Sequence, residues 1–217
     1  IQSVYNKTMD FPTQNVLLID EADMIPIKGE GTYRQLISNM KARNPHLRIV
    51  GLTATPYRMG SGPICHADHI LNHVCYEANI GDLIRNGYLS NIRTIEGDHS
   101  KIDLSKVKKS RGEFNLKDLA LRIDRDDVIS DAVRDMVQII RREKRKSVAV
   151  FGINVDHCKN VQKELRRYGV EAPCVFGSTN QKERDFLVNE FKAGRIQYLI
   201  SVDTLNVGFN AKCVDCV

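Results

Sequence analysis

Apolar positions in this chain fall into two patterns that alternate along its length. Runs of strand length are predicted at 16–19, 49–52, 88–95, 147–151, 174–176 and 196–202. Amphipathic stretches, with apolar residues three and four positions apart, are predicted to be helices at 33–40, 80–84, 128–140, 158–168 and 186–191. Because strands alternate with helices, the pattern predicts the α/β class, with parallel sheets joined by right-handed helical crossovers.

A polar stretch divides the chain in two. The hydrophobic period is lost from Glu96 to about Asn115, where lysine, serine and glycine are frequent. We therefore predict two α/β lobes, at 1–95 and 124–217, joined by a linker at 96–123. A length of 217 residues is enough for two small domains.

Three carboxylates cluster after the first predicted strand. Val16–Ile19 contains no polar residue, so we expect this strand to be buried on both faces. Asp20, Glu21 and Asp23 follow it, at the carboxyl end of a strand, where open α/β sheets bind ligands. A divalent cation would offset the repulsion between adjacent carboxylates. A solvated acidic turn is the alternative interpretation.

Two further short polar segments follow predicted strands. Parallel pairing would bring Thr53 and Thr55 to the same sheet edge as the carboxylates, although both also suit a turn before Pro56. The second segment, Gly177 to Thr179, precedes a predicted helix. Backbone N–H groups at such a position bind anions, and a plain helix cap is the alternative.

Five potential metal ligands lie close together in the first half of the chain. They are Cys65, His66, His69, His73 and Cys75. Their spacing does not match a paired-ligand zinc pattern, so the sequence leaves zinc binding open. The chain has six cysteines and no secretory pattern, which favours reduced thiols in a cytoplasmic protein.

Three segments resemble motifs of the superfamily-2 DEAD/DEAH-type helicases. The residues Asp-Glu-Ala-Asp at 20–23 are similar to the acidic box that continues the Walker B strand of that family. The segments 48–56 and 198–210 resemble its third and fifth motifs, and all three occur in the family's order on predicted strand ends. The resemblance covers nearly the whole chain and is closest to the bacterial RadD/YejH-like DNA-repair helicases.

The resemblance implies two partial RecA-like lobes, each a three-layer α/β/α domain, and ATP and Mg²⁺ as cofactors. In the family's mechanism Asp20 would hold Mg²⁺ through water, and Glu21 would orient and deprotonate the attacking water. Asp23 would couple hydrolysis to lobe movement through hydrogen bonds from Thr53 and Thr55. The other implied contacts are to nucleotide at Gly208 and Asn210, and to nucleic acid at Ser3, Arg58, Gly177, Ser178 and Thr179. Many family members have Asp at the position of Asn210, so an ion-coordinating role there is in doubt.

The implied function is ATP-driven unwinding or translocation of nucleic acid, with DNA as the expected partner and no membrane association. A non-unwinding translocase, such as a restriction-enzyme motor, is one alternative, and a catalytically dead nucleic-acid-binding module is another. The chain contains no G-x-x-x-x-G-K-[ST] loop and stops before the position of the family's arginine finger. We therefore expect an internal fragment that is inactive as an ATPase by itself. The net charge of +5 permits a polyanionic partner without requiring one.

Overall fold

The computed structural model describes residues 13–58, 62–95, 102–110, 113–202 and 211–217. The chain divides into two compact units. The first contains Ile1–Arg93 and Ser110–Glu113, and the second contains Thr94–Lys109 and Phe114–Val217. Each unit has its own hydrophobic core. The predicted lobe boundaries at 95 and 124 stay a prediction.

A strand, a helix and a second strand form the centre of the first unit. These elements are β1 at Val16–Ile19, α1 at Thr32–Arg43 and β2 at Arg48–Gly51. The two strands are parallel, with Val16 opposite Arg48 and Ile19 opposite Gly51. The buried residues Leu36 and Ile37 of α1 follow the helical spacing seen in the sequence. The predicted parallel crossover is therefore confirmed.

Several short elements complete the first unit. They are a 3₁₀ turn at Ala22–Met24, β3 at Tyr57–Arg58, β4 at Gly62–Pro63 and α2 at Ile80–Arg85. The strand predicted at 88–95 is wrong, because these residues form no strand and all of them are exposed. A strand requires a neighbour to pair its backbone groups, and the structure places none beside this segment in the described part of the chain.

Burial of β1 also differs from the prediction. Ile19 is 7% exposed, but Val16 is 53% and Leu18 67% exposed. Among the described residues the sheet that contains β1 has two strands. The hydrophobic core of the first unit covers only the face of β1 that carries Leu17 and Ile19. The unbroken apolar run therefore predicted the strand correctly, but the expected burial of both its faces is wrong.

A helix occupies part of the stretch that the sequence assigned to the linker. After the two-residue strands β5 (Lys109–Ser110) and β6 (Glu113–Phe114), α3 spans Leu116–Ile123. The Asn115 side chain caps α3 by accepting the N–H groups of Lys117 and Asp118 at 3.0 and 3.2 Å. The predicted linker therefore contains a helix, and its role as a linker stays a prediction. An N-cap asparagine before an amphipathic run was the available signal.

The second unit contains a parallel sheet with strand order β7–β9–β8. Its helices and strands follow the predicted alternation. They are α4 at Asp126–Glu143, β7 at Val148–Phe151, α5 at Val155–Arg167, β8 at Cys174–Val175, α6 at Gln181–Lys192 and β9 at Tyr198–Ser201. No strand in this sheet runs antiparallel among the described residues, so the predicted parallel α/β class is confirmed.

Helices cover both faces of this sheet. Tyr198 and Ile200 of β9 belong to the same core cluster as buried residues of α4 and α5. Leu199, which points to the other face, packs with Val175 and with Phe191 of α6. All three β9 residues are at most 1% exposed. The second unit is therefore a three-layer α/β/α domain.

The loop after β7 depends on a neutral histidine. His157 Nδ1 accepts the backbone N–H of Ile153 at 3.3 Å, which places the ring proton on Nε2. Burial lowers the pKa of His157, and the nearby Asp124 carboxylate opposes this shift. Because the native state then resists protonation, the unfolded chain binds more protons just below the ordinary pKa of about 6.5. Stability should therefore fall as pH drops through this window.

We expect His157→Asn to weaken this pH dependence, because an amide oxygen can accept the same N–H without titrating. The measurement is the melting temperature between neutral and mildly acidic pH. His46, which is exposed in the first unit, provides the matched control His46→Asn. Equal pH dependence in wild type and His157→Asn would contradict the assignment.

Candidate functional site

The acidic residues lie in a loop held against the end of β2. The N–H of Ala22 donates to the carbonyl of Leu52 at 2.9 Å, and the N–H of Leu52 donates to that of Ile19 at 2.8 Å. Ala22 is fully buried. A Cβ at Gly51 would lie 2.7 Å from the Ala22 side chain and 2.8 Å from that of Leu71. Glycine at position 51 therefore permits the close approach of the acidic loop.

Glu21 has an unusual backbone conformation within this loop. Its φ and ψ are both 50°, in the left-handed region. This conformation costs a non-glycine residue about 1–2 kcal/mol, so the contacts around the loop must hold it. The Asp20 side chain is exposed, and its Oδ1 accepts the N–H of Glu21 at 3.0 Å. Both carboxylates thus stand at the carboxyl end of β1, as the sequence predicts.

One hydrogen bond joins the ends of the two strands. Thr53 Oγ1 donates to Asp23 Oδ1 at 2.8 Å, and it accepts the backbone N–H of Thr55 at 3.0 Å. Thr55 therefore takes part through its backbone, while its side chain is exposed. The structure brings Asp20, Glu21, Asp23 and Thr53 together at one sheet edge.

The donor set at this edge suits Mg²⁺. Mg²⁺ prefers oxygen ligands, keeps several waters and is held by one or two carboxylates together with substrate phosphates. Asp20, an exposed carboxylate with one oxygen oriented by a backbone N–H, meets that requirement. Among the described residues no group of three or more His, Cys, Asp or Glu could hold a metal. Asp20 would therefore hold such an ion mainly through water.

Arg34 holds the segment that follows the acidic loop, and the sequence analysis did not identify this residue. Its Nη1 donates to the carbonyls of Pro26 and Ile27 at 3.1 and 2.7 Å. The guanidinium therefore ties α1 to the chain that leaves the acidic loop. No local sequence pattern predicts this contact, because the acceptors are backbone groups.

The segment at 177–179 forms a turn before α6. The Thr179 hydroxyl accepts the N–H of Phe176 at 2.9 Å, and the Thr179 N–H donates to the Phe176 carbonyl at 3.0 Å. Gly177 and Ser178 are exposed. Asn180 caps the helix by accepting the N–H of Glu183 at 2.9 Å. The N-cap is thus Asn180, and Thr179 instead closes the turn.

The remaining predicted contacts fall into two groups. Arg58 is half-buried in β3. Ser3, Gly208 and Asn210 lie outside the described residues.

Two of the potential metal ligands make local contacts. His69 Nδ1 lies 3.1 Å from the carbonyl of Ile64, and His66 Nδ1 accepts the N–H of Asp68 at 3.4 Å. In the part of the chain that the structure describes, these residues form no metal-binding cluster.

Part of the second unit matches a known protein family. Residues 131–217 match the family described as "Helicase conserved C-terminal domain". The matched residues lie within the second unit. The matched range includes the parallel sheet β7–β9–β8 and the turn at 177–179. The match does not include the acidic loop of the first unit.

Relatives extend the similarity to the first unit. "Putative ATP-dependent helicase IRC3" of Saccharomyces cerevisiae is 22% identical over 221 residues, which cover 100% of this chain and 31% of that protein. "Putative mitochondrial ATP-dependent helicase irc3" of Schizosaccharomyces pombe is 28% identical over 172 residues, covering 79% and 27%. Together with the family match, these similarities support a superfamily-2 helicase. The chain spans about a third of the length of these relatives.

Among solved structures, Saccharomyces cerevisiae Dbp5 bound to RNA and ADP BeF3 is similar over 98% of this chain and 47% of that one. The identity is 16% and the TM-score 0.49.

No helix in the described part of this chain has the length and apolar character needed to cross a membrane.

Proposed function

We propose that this chain is part of an ATP-dependent helicase or translocase that acts on nucleic acid. The observation that carries this proposal is the hydrogen bond from Thr53 to Asp23, beside Asp20 and Glu21. A solvated acidic turn would not require a left-handed glutamate, a buried alanine and a bond to the next strand. The arrangement instead supports a hydrolysis site linked to its neighbouring strand.

The chemistry follows from the positions of the side chains. Bound ATP would supply the phosphoanhydride, and bound Mg²⁺ would neutralise charge that develops on its phosphates. Asp20 would provide the carboxylate that holds the ion through water. Glu21, the next residue, would accept the proton of the attacking water. Asp23 would transmit a shift in this loop to β2 through Thr53. The family resemblance also implies nucleotide contacts at Gly208 and Asn210, which lie outside the described residues.

The nucleic-acid contacts are proposed to be sequence-independent. The backbone N–H groups of Gly177 and Ser178 in the turn Gly177 to Thr179, together with Ser3 and Arg58, suit phosphate oxygens rather than bases. DNA is the proposed substrate, and a place beside the RadD/YejH-like DNA-repair helicases is the proposed position within the superfamily. Motif similarity over nearly the whole chain supports both proposals. A cytoplasmic location is also proposed.

The test uses the longer protein and replaces Thr53 with Val, which keeps the shape and removes the hydroxyl. Losing a hydrogen bond to a charged group should lower the single-strand-stimulated ATPase about tenfold. Thr55→Val is the matched control and should retain most of the stimulation, since Thr55 contributes its backbone N–H. The measurement is steady-state ATPase with and without single-stranded DNA.

A strand-displacement assay on the same proteins separates the alternatives. Displacement supports a helicase, whereas DNA-stimulated ATPase without displacement supports a translocase. ATPase activity that no nucleic acid stimulates would overturn the proposed coupling. DNA binding with no ATPase at all would favour the catalytically dead binding module.

A further inference from the structure

Basic residues gather at the amino-terminal edge of the sheet in the second unit. The segment 141–147, which joins the end of α4 to β7, carries five basic residues and one acidic residue. The end of α5 adds Arg166 and Arg167. Arg141 Nη2 donates to the carbonyl of Tyr168 at 2.8 Å, which ties the ends of the two helices together. The surface formed by 141–147 with Arg166 and Arg167 is called the basic edge below.

Two carboxylates of the basic edge lie beneath its arginines. Glu164 forms an ion pair with Arg167 at 2.8 Å, and Glu143 lies 3.4 Å from Arg142. The side chains of these glutamates are 11% and 19% exposed, whereas both arginines are 67% exposed. Glu171 is an exposed acid nearby. Each of the two pairs therefore turns its positive end to the solvent, and the carboxylate holds the guanidinium in place.

Lys144 ends α4 in a conformation that favours glycine. Its φ and ψ are 55° and 38°, in the left-handed region, and the residue is exposed. This conformation costs a non-glycine residue about 1–2 kcal/mol, and glycine is the usual residue at such a helix end.

The helix dipole does not account for the lysines of the basic edge. The macrodipole of α4 favours cations within its last turn, but Lys144 and Lys146 follow the helix. Among the described residues neither ammonium group forms an ion pair. A strained position occupied by a charged, exposed side chain points to a role in binding.

The composition of the basic edge favours a phosphate backbone over a protein or a membrane. In the described part of the chain, none of the exposed large hydrophobic residues lies in 141–147 or 163–173. Protein interfaces are anchored by aromatic and other large side chains, and helices that bind membranes present an apolar face. The planar fork of arginine matches phosphate oxygens, and surfaces that bind nucleic acid are polar and strongly positive.

We infer that the basic edge binds the sugar–phosphate backbone of nucleic acid, as a second contact separate from the turn at 177–179. The two surfaces lie at opposite ends of the parallel strands, because 141–147 precedes β7 whereas 177–179 follows β8. A strand bound at the turn therefore leaves the basic edge open to a different segment of the nucleic acid. The inference rests on the proposed function in that it takes nucleic acid as the partner.

The experiment measures binding of a short fluorescein-labelled DNA duplex to the 217-residue chain by fluorescence anisotropy at several salt concentrations. Lys144→Gly removes the charge together with the unfavourable conformation, so it should not lower the melting temperature. The same variant should lower the duplex affinity about fivefold and reduce the slope of log affinity against log salt by about 1. Weaker binding by a protein of equal or greater stability cannot be attributed to unfolding.

Three further variants complete the comparison. Lys144→Gly combined with Lys146→Gln should reduce the salt slope by about 2. Lys144→Arg keeps the charge and should keep the affinity within about twofold, because a phosphate contact of this kind reads charge. Lys117→Gln is the matched control, since it removes an exposed lysine of α3 outside the basic edge. It should change the affinity less than about twofold.

The outcomes separate the inference from the proposed function. If the wild-type chain binds neither duplex nor single-stranded DNA, the proposed nucleic-acid partner is wrong and the inference fails with it. If the double variant binds the duplex as wild type does, nucleic acid binds elsewhere and the role of the basic edge is wrong. If a polyglutamate peptide displaces the labelled duplex as effectively as unlabelled duplex, the basic edge binds acidic polymers in general, and its assignment to nucleic acid is wrong.

Discussion

Replacing Glu21 with Gln in the longer protein should lower the ATPase rate by about 10²- to 10⁴-fold, the usual contribution of a general base. Gln is nearly isosteric and still holds a water, but it cannot accept the proton of that water. Asp20, and not Glu21, is the proposed partner of the ion that binds the nucleotide. Nucleotide affinity should therefore change little in Glu21→Gln. Steady-state ATPase and nucleotide binding, measured on the same preparation, check this result.

Two further variants make the Glu21 test specific. Asp20→Asn should weaken Mg²⁺-dependent nucleotide binding, because the ion loses a charged partner. Glu30→Gln changes an exposed carboxylate in the loop before α1 and should leave turnover unchanged. Wild-type turnover in Glu21→Gln would remove Glu21 as the base, and the hydrolysis mechanism would then need another residue.

Replacing Phe191 with Ala in the 217-residue chain should lower the free energy of unfolding of the second unit by about 3–5 kcal/mol. Phe191 is fully buried and packs with Val175 and Leu199 beneath the central sheet. Removing its ring leaves a cavity that the neighbouring strands cannot fill by a small movement. Denaturant unfolding, followed through the transition of the second unit, measures the change.

Phe186→Ala is the matched control for this substitution. Phe186 lies on the same helix and is 61% exposed, so its loss should cost no more than about 0.5 kcal/mol. The two variants remove the same side chain from the same element and differ in burial. Equal destabilisation would show that Phe191 is not a core residue of α6.

The site residues of the first unit could be predicted from local sequence patterns alone. The acidic box follows an apolar run, and the two threonines follow the next run, so the parallel β-α-β rule already places both groups at one edge. The hydrogen bond from Thr53 to Asp23 lies where the resemblance implied it. The roles of these residues in hydrolysis and coupling stay predictions, as do the contacts of Ser3, Gly208 and Asn210.

The sequence by itself determined the α/β class, the order of the main helices and strands, and the position of the acidic loop. It did so because hydrophobic periodicity and strand-end polar residues are local properties of the chain. Burial was decided by the tertiary structure, since the exposure of Leu18 depends on which elements cover each face of β1.

Contacts to the backbone also depend on the folded structure. Arg34 reaches the backbone carbonyl of Ile27, and Gly51 lies in van der Waals contact with the acidic loop. Every residue carries a backbone carbonyl, so no sequence pattern marks the one that an arginine will reach. Only the folded chain brings donor and acceptor within hydrogen-bonding distance.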